Sequence, residues 1–72
     1  MTESVYKIIE LVGTSSESWE KAAAAAVETA AQTLHDLRIA EVTALDMQLD
    51  GDKVVTYRAK VKVSFKYHKE TD

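Results

Sequence analysis

The chain has 72 residues, no cysteine and no proline, with 46% apolar and 29% charged side chains and a net charge of −3. That length allows a single domain, 1–72, and the apolar fraction excludes a disordered tail. Without cysteine there is neither a disulfide staple nor thiolate chemistry.

The first predicted element is a strand over about 5–12, where Val-Tyr-Lys-Ile-Ile-Glu-Leu-Val is rich in β-branched and aromatic residues. Gly13 is expected to end it. Thr14, Ser15, Ser16 and Glu17 read as a helix start, with hydroxyl caps and an acid in the first turn. Trp19, Ala22, Ala23, Ala26, Val27, Ala30, Ala31 and Leu34 recur at helical spacing, which predicts a helix over about 16–36. Its inner face is mostly alanine, which favours the helix but contributes little area, so the large core side chains must come from strands.

Two more strands are predicted, over about 38–49 and about 53–67. Asp50-Gly51-Asp52 between them is a hairpin turn signal. In the last strand Val55, Tyr57, Ala59, Val61, Val63 and Phe65 alternate with Thr56, Arg58, Lys60, Lys62, Ser64 and Lys66. The fold class is therefore α+β, a β-α-β-β unit. The helix returns the chain so that the first and second strands run parallel, and the third inserts between them. The result is an antiparallel sheet of order 1-3-2 packed on one helix. So small a chain buries only about 60% of its unfolded surface. One helix also cannot cover a long twisted hairpin. With no disulfide, self-association is the expected source of the missing stability.

Charge is segregated. Residues 1–36 carry two lysines against six acids, and the later half carries seven Lys and Arg against six acids. The basic third strand is read as pairing across the sheet, because a net-acidic chain lacks the usual footprint of a nucleic-acid binder. No nucleic-acid or membrane partner is expected: the start, Met1 to Lys7, has no apolar leader, and the longest apolar run, Ala22 to Val27, cannot span a bilayer. The lack of cysteine fits the cytoplasm.

An enzyme is not expected. His35, near the helix end, is read as facing its terminal carbonyls, and His68 lies in a polar tail. The two glycines, Gly13 and Gly51, make no phosphate loop. Asp46-x3-Asp50-Gly-Asp52 has the oxygen-rich composition a hard cation prefers, without the spacing of an EF-hand; a hairpin turn with exposed Asp residues explains it better. Tyr6, Trp19, Tyr57 and Phe65 could stack a flat ligand or pack the core.

Val5-Tyr6-Lys7, Glu10-Leu11-Val12-Gly13-Thr14-Ser15, the alanine-rich helix, Ala40-Glu41-Val42 and the run from Tyr57 to Phe65 together resemble the dodecin family over nearly the whole chain. The resemblance implies a hollow homododecamer of cubic-type symmetry that binds flavins in stacked pairs for storage, not catalysis. Flavin-binding members place a Trp where this chain has Ile39, and a Gln where it has Arg58. Ile39 offers no π face, and Arg58 donates but cannot accept.

Ser18-Trp19-Glu20, Arg38-Ile39-Ala40, Asp46-Met47, Tyr57-Arg58 and Val63-Ser64-Phe65-Lys66 are similar to the Trp-less calcium dodecin branch. That likeness implies Ca2+ as the ligand. Asp46 and Asp50, with Glu41 as a further choice, are the candidate metal ligands. A flavin or another phosphate-bearing anion held by Arg58, and a structural shell without a ligand, are the alternatives.

Overall fold

The computed structural model describes residues 3–67. Their elements are β1 (Tyr6–Ser15), α1 (Trp19–Ala31), β2 (Leu37–Asp50) and β3 (Lys53–Lys66). The sheet has the order β1-β3-β2, with β3 antiparallel to both neighbours. This is the predicted topology. His68, placed by the sequence in a polar tail, lies outside the described residues.

Gly13 does not end the first strand. Pairing continues through Gly13↔Ala59 to Ser15↔Tyr57. The glycine serves contact instead: a Cβ there would lie 1.9 Å from the carbonyl oxygen of Ala22. The helix backbone rests on the strand at this point, which a side chain would forbid.

The helix starts later than predicted. Ser15 turns the chain, its Oγ accepting from the Glu17 N–H at 3.0 Å. Ser18, extended at φ −164°, is the N-cap, and its Oγ accepts from the Lys21 N–H at 3.1 Å. The helix also ends at Ala31, not near residue 36. The N–H groups of Gln32, Thr33 and Leu34 close on the carbonyls of Thr29 and Ala30 in a tightened last turn. Asp36 then takes φ +60°, and its carbonyl accepts from Lys66 to start β2. His35 is exposed beyond this turn, so backbone donors and not its ring meet the last carbonyls.

The core is small and apolar. Ala22 and Ala26 of α1 pack on Ala59, Val61 and Val63 of β3, with Ile9, Leu11, Ala23, Val27 and Leu37 partly buried around them. Alanine on the helix lets it sit close, and β3 supplies the larger side chains, as the alternation requires. Val61 and Val63 are the largest fully buried residues. The far face of β3 carries Arg58, Lys60, Lys62, Ser64 and Lys66.

β2 and β3 reach beyond the helix as a two-stranded arm, and the molecule measures 54 × 20 × 15 Å. The arm closes through Gly51 at φ +62°, the first central residue of a two-residue turn. That is where a II′ turn requires glycine. Among the described residues no helix is long and apolar enough to cross a membrane.

Candidate functional site

The face of the sheet away from α1 holds most of the candidate residues, and a bulge puts them there. Ile39 pairs with Ser64 and Glu41 with Lys62, whereas Asp46 pairs with Arg58. Glu41 and Asp46 are separated by an odd number of positions and would point to opposite faces of a regular strand. The register shifts between Val42 and Ala44, leaving Thr43 as an extra residue whose Oγ1 donates to the Lys60 carbonyl at 3.3 Å. Both acids therefore face away from the helix.

Two groupings result. The first is a shallow hollow of about 200 Å³ lined by Ile8, Ile39, Glu41, Lys62 and Ser64. Ile39 is 66% exposed and gives it an aliphatic wall. On the β1 side Glu10 also pairs with Lys62, so this rung reads Glu10–Lys62–Glu41 across the sheet. The predicted cross-strand charge pairing is seen in the register.

The second grouping is an ion pair. The Arg58 guanidinium donates through Nε to Asp46 Oδ1 at 2.7 Å and through Nη2 to Oδ2 at 2.9 Å. Both carboxylate oxygens are engaged in the bidentate geometry that arginine favours. The hydrogen bond from Arg58 holds the Asp46 carboxyl below its ordinary range; partial desolvation opposes this, and the charges of Arg58 and Lys60 add to it. The same bond raises the Arg58 guanidinium. The two side chains are 42% and 40% exposed, so solvent screens the pair.

Trp19 anchors this pair from the other face of the sheet. Its indole Nε1–H donates to the main-chain carbonyl of Asp46 at 3.0 Å, and its ring meets Tyr57 edge-on at 5.1 Å. The sequence reading left Trp19 between stacking a flat ligand and packing the core, and missed that it ties the helix start to β2. Its position before the alanine stripe was the available signal. Trp19 and Tyr57 lie on the helix side, so neither supplies a stacking surface to the hollow beside Ile39.

The third acid, Asp50, is exposed at the arm's tip, opposite Lys53. At about 3.3 Å per residue, the Glu41 rung lies about 13 Å from the Asp46 rung, and Asp50 lies farther along. Among the described residues no three His, Asp or Glu side chains gather as a metal-binding group. Ca2+ takes six to eight oxygens. One copy of the chain, with Asp46 occupied by Arg58, does not assemble that donor set.

The sequence model of the dodecin family matches residues 5–68. A Mycobacterium tuberculosis protein named calcium dodecin is 51% identical over 63 residues, covering 88% of this chain and 89% of that one. A crystal structure of the M. tuberculosis calcium dodecin, described as calcium-chelating with a novel calcium-binding site, superposes with a TM-score of 0.82 at 48% identity, over 93% of this chain and 96% of that one. The dodecin of Streptomyces coelicolor superposes with a TM-score of 0.90 at 31% identity, over 97% and 100% of the two chains. The matched span, the identity and the superposed fold agree: the chain belongs to the dodecin family.

Proposed function

We propose that the protein is a non-catalytic, dodecin-like homododecamer that binds and buffers a divalent cation, with calcium the favoured ion. The observation that carries this reading is the 51% identity to a calcium dodecin across 88% of the chain. The residues beside the hollow support it. Ile39 presents an aliphatic surface where a flavin ring would need an aromatic one. Arg58 donates to Asp46 and has no acceptor with which to read the polar edge of a ring.

The cation's ligands are then shared between copies, because the described residues of one copy gather no metal-binding group. Asp46, Asp50 and Glu41 remain the candidates, repeated around a symmetry axis. For Asp46 to coordinate, Arg58 must swing away, which its exposure allows.

Calorimetric titration with calcium tests the reading. Saturable binding to the assembled protein is expected, weakened by Asp46→Asn or Asp50→Asn. No heat at millimolar calcium would sink it. Riboflavin keeping its full fluorescence on mixing with the protein is expected; strong quenching would instead favour a flavin.

A further inference from the structure

Asp46 already holds a cation, and that cation belongs to the chain. Both carboxylate oxygens accept from the Arg58 guanidinium, at 2.7 Å from Nε and 2.9 Å from Nη2. The main chain on both sides of the pair is fixed. Asp46 faces Arg58 in the ladder, and Met47 faces Tyr57 on the next rung. From the helix side the Trp19 indole donates to the Asp46 carbonyl at 3.0 Å and meets the Tyr57 ring edge-on at 5.1 Å. The carboxylate is therefore held in position, while the long Arg58 side chain, 42% exposed, can leave into water.

The register leaves Arg58 one acid to pair with. Its partner on β1 is Thr14. The rung on one side sets Lys60 between Val12 and Ala44, and the rung on the other sets Thr56 against Gln48. A released Arg58 meets no second carboxylate on these rungs and returns to Asp46 whenever the carboxylate is empty. Lys60 adds positive charge toward Asp46 from one rung away. The other two candidate ligands differ: Glu41 shares Lys62 with Glu10 across the ladder, and Asp50 faces Lys53 at the tip.

We propose that Arg58 is a tethered counter-cation, which closes the Asp46 carboxylate within the chain and yields it only to a divalent ion. The inference rests on the calcium reading above, with Asp46 as a ligand, and names the residue that regulates that ligand.

Guanidinium and metal ion exclude each other at the same two oxygens. The fraction of chains with Arg58 turned away then scales the apparent affinity. A singly charged ion matches the charge of the guanidinium without its two directed hydrogen bonds, so it does not displace them. A doubly charged ion has twice the attraction for the carboxylate and collects further oxygens. Arg58 thereby sets both the threshold for binding and the preference for a double charge.

Terbium, a luminescent stand-in for calcium, tests this in the assembled full-length protein. Trp19 is the chain's single tryptophan and is bonded to the Asp46 main chain, so light absorbed by its indole sensitises an ion held at Asp46. The signal is titrated with terbium and then chased with calcium. Arg58→Gln is expected to tighten both ions about threefold or more. Lys60→Gln removes the same charge from the next rung without freeing the carboxylate, and should tighten them by less. The gain from Arg58→Gln should vanish when Asp46→Asn is added. Excess sodium should lower the signal of Arg58→Gln more than that of the wild type. Unchanged or weaker binding by Arg58→Gln, an equal gain from Lys60→Gln, a gain that survives Asp46→Asn, or equal competition by sodium would each overturn the inference and leave the calcium reading standing. Calcium bound by none of these proteins would remove the calcium reading and this inference with it.

Discussion

Gly13 shows how a single missing side chain positions the site's scaffold. Any Cβ would meet the main chain of Ala22 rather than a movable side chain, so the helix would have to lift. Gly13→Ala should destabilise the fold by about 1–3 kcal/mol, the usual cost of overpacking, read as a lower denaturant midpoint. Glycine after an apolar strand looks like a terminator in a sequence. Only the arriving helix reveals it as a contact.

The Asp46–Arg58 pair belongs to the same scale. Asp46 is depressed in the folded state, so its contribution is present above its unfolded value, about pH 4, and lost as pH falls through the folded value. Asp46→Asn should therefore flatten the acid limb of the stability profile, measured by chemical unfolding at stepped pH. An equally steep limb in the variant would contradict the pairing. Both residues were named from the sequence, yet their bond was not visible there. It needs the bulge at Thr43, and no composition rule announces that extra residue.

At the scale of elements, local chemistry and tertiary demand divide the work. The alternation of β3 was legible because one face is buried and the other charged, and the turn was legible because Gly51 must take positive φ. The helix was overestimated at both ends. Its alanine periodicity continues into Leu34, but the chain must unwind for Asp36 to meet Lys66. At its start, three serines and a threonine compete as caps, and Ser18 wins because Ser15 is spent on the preceding turn. Ser18→Ala should then cost about 1 kcal/mol of stability, and Ser16→Ala little. Thermal unfolding followed by circular dichroism separates them, and equal losses would contradict the assigned cap.

The whole molecule returns to the size argument. A core of three buried alanines and two valines on the described helix and sheet is slight for a chain this long. A hairpin arm with an apolar side left in water adds to the deficit. Length and the missing cysteine made other copies the expectation from the sequence. The site was less legible: Glu41, Asp46 and Asp50 form no metal-ligand spacing in the sequence, and the described residues of one copy gather no such group. Ligands shared between copies would couple the stability of the assembly to ligand binding. Calcium should then raise the unfolding temperature of the wild-type assembly, and do so less for Asp46→Asn.

The most direct test of the central claim is native mass spectrometry of the purified protein across a calcium titration. The account predicts a dodecamer built from the 8.0 kDa chain that gains a fixed, saturable number of calcium ions. A lone chain, or an assembly whose mass calcium leaves unchanged, would contradict it.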